Sequence, residues 1–228
     1  MIPATHVDEL PIRVGLGQFH TLSDSLLTYI KQCGVDDIQV NTPRLPGECR
    51  WEYEDLAAWR EQVNAAGLRL MSLENVPVTF YDKILLGLPG REEQLDNMVA
   101  TVRNMGRAGI PILGYHFMPT GVWRTSATEL VRGGAQATRY EHSLAIAAGD
   151  DRYQHKNSVP PPDRDYTVEE MWANYDYYLE RILPVAEAAR VRLALHPDDP
   201  PVPTLGGVAR IFGSLEGFQR AMDRFDSP

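Results

Sequence analysis

The sequence predicts an α/β protein of the (β/α)8-barrel type, with about the first five strand–helix units present in the chain. Two observations lead to this. Short apolar runs alternate with helical apolar patterns at the spacing of crossover units, the signature of a parallel sheet. The strand-like runs also end in polar residues, Gln18 with His20, Asn41, Glu74 with Asn75, His116 and His196, and a barrel gathers such ends at one mouth. A doubly wound open sheet is the alternative, but no G-x-G-x-x-G or Walker pattern follows any strand. A complete barrel needs eight strands and roughly 250 residues. The 228 residues are therefore expected to form one partial barrel domain over 1–228, with a long lid at about 120–166.

Pro11–Gln18 is the first expected strand. A helix capped by Ser23 follows, with Leu26, Leu27, Ile30 and Cys33 on one stripe and Gly34 as its stop. Asp37–Asn41 is strand two, and Leu56, Trp59, Val63 and Ala66 give the next helix its period. Leu68–Glu74 is strand three, followed by a helix over Arg91–Ala108 that Gly109 ends. Ile110–His116 is strand four. The segment to Tyr166 is the least regular, with Gly133-Gly134 and three prolines at 160–162. Thr167 and Glu170 form a capping box for a long helix, which Pro184 is expected to kink. Val191 opens strand five, and a last helix after Ser214 is expected to bury Leu215, Phe218, Met222 and Phe225.

Hydrophobic residues make up 43% of the chain, enough for a substantial core, and no apolar run approaches the ~20 residues of a membrane helix. The expected location is cytoplasmic. Cys33 and Cys49 have neither zinc-site spacing nor the density of a disulfide scaffold, and Cys33 reads as packing. A net charge of −9 argues against nucleic acid or an anionic membrane as partner. A small anionic substrate needs only a local cationic pocket, and self-association is left open.

The stretch VRLALHPDDPP, Val191–Pro201, carries the sharpest chemical signal. Leu193 and Leu195 face one side of a short strand, Arg192, Ala194 and His196 the other. An imidazole there has the makings of a metal ligand, with Asp198 and Asp199 close enough to orient it. The plainer reading is a hydrogen-bonded histidine followed by a solvated turn. No G-x-S-x-G elbow or catalytic-cysteine setting is visible, which leaves metal-assisted or acid–base chemistry.

Pro184–Pro201 resembles the mannonate dehydratases, xylose-isomerase-like metal-dependent barrels, which carry a similar helix end followed by His-Pro-Asp-Asp-Pro-Pro. The resemblance continues at Tyr115-His116-Phe117-Met118-Pro119 with Trp123, at Gly47-Glu48 with Trp51, and at Glu74 with Pro77-Val78. It implies a lyase converting D-mannonate to 2-keto-3-deoxy-D-gluconate with a divalent ion, Mn²⁺ or Fe²⁺, and it makes His196 a metal ligand. The family's cysteine, second histidine and aspartate ligands are expected on later strands, past the point where this sequence stops. Departures stand at His116 (usually Asn), at Val122-Trp123-Arg124-Thr125 (usually Asp-Trp-Thr-Arg-Thr), at Gly15–Gln18 (usually Trp-Tyr-Gly) and at Val78-Thr79-Phe80 (usually Val-His-Glu). They mark a divergent member whose substrate could be another aldonate.

The candidate substrate residues are His116, Trp123, Arg124, Glu74 and Asn41. An arginine fork suits a carboxylate and a tryptophan face suits a sugar chain. The competing readings are a surface arginine, a loop-packing tryptophan and a strand-end salt bridge at Glu74. No residue is assigned as general acid or base. An isomerase or epimerase on the same barrel is the alternative activity, and a non-catalytic fragment of such an enzyme is the third reading.

Overall fold

The computed structural model describes residues 12–148, 153–154 and 158–227. In chain order the elements are β1 Gly15–Phe19, α1 Asp24–Gln32, β2 Asp37–Asn41, α2 Tyr53–Ala65, β3 Arg69–Glu74, α3 Asp82–Leu86, α4 Arg91–Ala108 and β4 Ile112–Tyr115. There follow β5 Ser126–Leu130, β6 Gln136–Arg139, α5 His142–Ala148, α6 Val168–Ala189, β7 Arg192–Leu195, β8 Thr204–Leu205, β9 Val208–Ala209 and α7 Leu215–Arg224. The chain divides into two compact units.

The first unit holds residues up to 80, 92–115 and 180–195. Its centre is a five-stranded sheet in the order β1-β2-β3-β4-β7, every pair parallel. β2 presents Ile38 and Val40 on one face, both fully buried, and Asp37, Gln39 and Asn41 on the other. Leu27 and Ile30 of α1, Leu56 and Val63 of α2, and Met98, Val102 and Met105 of α4 are buried on apolar stripes of helical period. The Ser23 hydroxyl accepts the Leu26 N–H at 3.2 Å, the expected cap. Asp37 is buried and accepts from the Nε–H groups of Arg13 and Arg69, each at 2.7 Å, so β2 is tied to the segment leading into β1 and to β3.

The second unit holds residues 81–91, 116–179 and 196 onward. Its core is aromatic: Phe117, Trp172, Tyr175 and Phe212 meet edge to face, with Tyr175 and Phe212 centroids 4.8 Å apart. The capping box at the start of α6 is complete. Glu170 Oε2 accepts the Thr167 N–H at 2.9 Å and Thr167 Oγ1 accepts the Glu170 N–H at 3.2 Å.

Several expectations need correction. The segment expected to be least regular contains the β5–β6 hairpin, turning at Gly133-Gly134; its strands are short and largely polar, so no apolar alternation announced them. Cys33 is exposed, and Leu26 is only half-buried. The expected stripe on α7 is split: Phe218 and Phe225 pack against Phe212 and Tyr175, while Leu215 is 84% and Met222 61% exposed. Periodicity marks a face fit for burial and says nothing of whether a neighbour is there. Pro11, where strand one was expected to start, lies outside the described residues; the strand runs from Gly15 to Phe19.

Replacing Asp37 with alanine should leave two guanidinium groups facing each other without their carboxylate. Both arginine side chains are about one quarter exposed, so water softens the loss to about 2 kcal/mol. Urea unfolding measures it, and an unchanged midpoint would show that the two arginines are satisfied by solvent.

Candidate functional site

In the first unit the carboxyl ends of β1, β2 and β3 bring four polar side chains together. Glu74 Oε2 accepts from Gln18 Nε2 at 3.0 Å and, in a very short contact, from Gln39 Nε2. Asn41 Nδ2 donates to Gln18 Oε1 at 3.0 Å. His20 Nδ1 donates to the Asn41 carbonyl at 2.6 Å, which fixes its tautomer. Asn41 and Glu74, both expected from sequence, thus sit in one network. Gln39 was missed, although its place two residues before Asn41 puts it on the same face of β2.

Two glycines make the room. A Cβ at Gly17 would stand 3.2 Å from Gln39 Cβ, and one at Gly114 would stand 3.1 Å from Glu74 Cγ. Three non-glycine residues at these strand ends adopt left-handed backbone: Gln18 (φ 71°), Thr42 (φ 40°) and Asn75 (φ 60°). Such geometry costs on the order of 1 kcal/mol per residue and persists where surrounding structure imposes it. Lower on the same unit, Arg13, Gly15, Asp37, Gln39, Ser72 and Arg192 line part of a concavity of about 590 Å³.

In the second unit His196 is exposed, and its Nδ1–H donates to the Pro197 carbonyl at 2.6 Å. Among the described residues Nε2 has no hydrogen-bond partner, and its lone pair is placed as in a ligating imidazole. The Asp-Asp-Pro-Pro turn behind it is not the solvated turn of the plainer reading. Asp198 is buried: Oδ2 accepts the Phe212 N–H at 2.6 Å, and Oδ1 lies 3.8 Å from Arg210 Nη1. Burial pushes the Asp198 carboxyl above its ordinary value, with Arg210 and the Phe212 N–H opposing. Arg210, which no sequence pattern marked, also donates to the Gly121 carbonyl at 2.6 Å.

Arg124 grips Asp199 with both arms of its fork, Nη1 to Oδ1 at 2.7 Å and Nη2 to Oδ2 in a shorter contact. Its Nε donates to Thr138 Oγ1 at 3.2 Å. Trp123 is buried with Ala145 and Leu205, and its indole N–H donates to the Thr120 carbonyl at 3.1 Å. His116 is also buried; Nδ1 accepts the Met118 N–H at 3.3 Å and Nε2 lies 3.2 Å from the Tyr81 hydroxyl. Tyr81 was another residue without a sequence signal.

His196 fits one ligand of a divalent ion. Among the described residues no group of three His, Cys, Asp or Glu assembles to hold a metal, so these residues alone do not make a complete site. Nor is any helix among them long and apolar enough to cross a membrane.

Burial, helped by the charges of His196 and Arg210, lowers the His116 imidazole to about 4. Between the ordinary value of about 6.5 and this one, the unfolded chain binds a proton that the folded chain refuses. The contribution is fully present above pH ~6.5 and is lost as pH falls toward ~4, on the order of 3 kcal/mol. Unfolding midpoints measured across that window should fall more steeply for the wild type than for His116→Asn. Parallel profiles would refute a buried neutral imidazole.

The D-mannonate dehydratase (UxuA) family model matches residues 16–228. The mannonate dehydratase of Streptococcus equi subsp. zooepidemicus is 34% identical over 213 residues, covering 86% of this chain and 57% of the relative. That of Thermotoga neapolitana is 32% identical over 200 residues, covering 78% and 55%. The crystal structure of mannonate dehydratase from Streptococcus suis serotype 2 superposes with a TM-score of 0.78 at 29% identity, over 95% of this chain and 60% of that one. A 3-keto-D-glucoside 4-epimerase from E. coli matches at a TM-score of 0.51 and 14% identity, over 93% and 64%, a likeness of fold alone. The fold is that of a (β/α)8 barrel with about its first five units, and the chain spans a little over half the length of the curated relatives it matches. The match over residues 16–228 places this chain in the D-mannonate dehydratase family.

Proposed function

We propose that this chain belongs to a metal-dependent sugar-acid dehydratase, a carbon–oxygen lyase acting on D-mannonate or a closely related aldonate in the cytoplasm. The observation that carries the reading is the orientation of His196, whose Nδ1–H is spent on a carbonyl while Nε2 stays open at a strand end. Dehydration removes the proton on the carbon next to the carboxylate and the hydroxyl one carbon further, which leaves as water. The enol that forms relaxes to the 2-keto-3-deoxy acid. A divalent ion such as Mn²⁺ or Fe²⁺, bound by His196 and by ligands on further strands, would acidify that proton.

The chain's own residues supply binding. Asn41 and Glu74 present amide and carboxylate groups of the kind that hold sugar hydroxyls, and Gln18 and Gln39 fix the Glu74 carboxylate by one oxygen. In the second unit the Arg124 fork is taken by Asp199, while Trp123 and the neutral His116 ring are buried in hydrogen bonds of their own, so the role left to that segment falls to the Arg124–Asp199 pair.

Grafting residues 12–227 in place of the matching segment of the Streptococcus suis enzyme tests the reading. With Mn²⁺ the graft should convert D-mannonate to a 2-keto-3-deoxy acid, and His196→Ala should lower its metal affinity by a factor of at least ~10 while it remains folded. A product that keeps every oxygen would favour an isomerase, and undiminished metal content in the variant would reject His196 as ligand.

The 228-residue chain by itself should neither bind Mn²⁺ with sub-micromolar affinity nor form keto acid, because one oriented imidazole lacks the fixed partners that make coordination favourable. Calorimetry and a keto-acid assay decide it, and tight binding with steady turnover would show that the metal site is complete in this chain.

A further inference from the structure

We propose that His116 is a positioning residue, a neutral ring clamped between Tyr81 and the Met118 amide that, through Met118 and Asp199, sets the direction of the Arg124 guanidinium. The protonation pattern follows from the bonds. A backbone N–H can only donate, so Nδ1, which receives the Met118 N–H, carries the lone pair. A neutral imidazole then bears its proton on Nε2 and donates it to Tyr81 Oη 3.2 Å away. Both ring nitrogens are engaged and the residue is buried, so His116 has no lone pair for a metal ion and no vacancy for a proton from substrate. The two strand-end histidines differ in this respect: among the described residues His196 Nε2 has no partner, while both ring nitrogens of His116 are engaged.

From the ring the contacts pass onward without a gap. Met118, its amide fixed by His116, is buried and accepts the Asp199 N–H on sulfur at 3.1 Å. Asp199 in turn fills the Arg124 fork. A side chain with four rotatable bonds is thereby held in one direction at its charged end, and its planar fork fixes orientation as well as place. Burial that disfavours imidazolium agrees with this picture, since a protonated Nδ1 would break the bond to Met118. Only the last step, that the Arg124–Asp199 pair faces the substrate, rests on the function proposed above.

Nitrogen NMR of the labelled 228-residue chain tests the inference without needing turnover. At neutral pH the His116 ring should show a protonated Nε2 and an unprotonated, hydrogen-bonded Nδ1. An Nδ1–H tautomer or an imidazolium would overturn the proposal in the wild type alone, whatever the variants do. Two variants separate the bonds: the Asn oxygen can stand where Nδ1 stands, and the Gln amide where Nε2–H stands. His116→Asn should keep the Met118 amide slow to exchange and leave the Arg124 Nε–H resonance in place. His116→Gln should release the one and shift the other. A purely structural histidine would move both variants alike, and equal shifts, or none, would refute positioning. In the grafted enzyme the Gln variant should raise KM for the sugar acid several-fold with kcat little changed. A graft that forms no keto acid would overturn the dehydratase reading and leave the ring tautomer and the Arg124 resonance as they are.

Discussion

Because β1, β2, β3, β4 and β7 all pair in parallel, every carboxyl end in the sheet falls on the same side, and residues far apart in sequence are brought within hydrogen-bond reach there. Gln18 and Glu74 are separated by 56 positions and still share a 3.0 Å contact. An antiparallel order would place alternate ends on opposite sides and scatter the same residues. The arrangement depends on register as well as direction. Asn41 lies beside Glu74 in the β2–β3 ladder, and Gln39 reaches the same carboxylate after the irregularity between Ile38 and Gln39. Asp37, at the other end of β2, braces that register by gripping Arg13 and Arg69 at once.

The second unit follows a different physical logic. Two successive carboxylates, Asp198 and Asp199, would repel each other in a buried turn if left alone. Each has its own arginine, Arg210 and Arg124, and each arginine is tied to backbone as well, at Gly121 and Trp123. The turn behind His196 is therefore stiff because it is charged, where a turn of small apolar residues would have depended on packing alone.

Most of the scaffold could be read from the sequence, and only part of the site. β2 and α4 were legible to the residue because a buried central strand and a long amphipathic helix leave strong periodic marks, and Thr167 with Glu170 announced a cap through chemistry local to one turn. Asn41, Glu74 and His196 were legible as polar ends of apolar runs. Tyr81, Arg210 and Gln39 were not, since their roles come from partners 35, 12 and 35 positions away, and no local pattern encodes such pairs. The exposed part of the α7 stripe shows the same limit from the other side. Leu215 and Met222 have the right spacing to be buried, and spacing alone cannot supply a neighbour.

The two glycines beside Gln39 and Glu74 have a consequence for how such a protein can change over evolution. At Gly17 and Gly114 a larger side chain would press on the very groups that form the polar network, so a substitution there has to shift Gln39 or Glu74 by a few tenths of an ångström. Change that leaves the Glu74 carboxylate in place is easier at positions that project from loops. A lineage built this way keeps its floor and redecorates its walls.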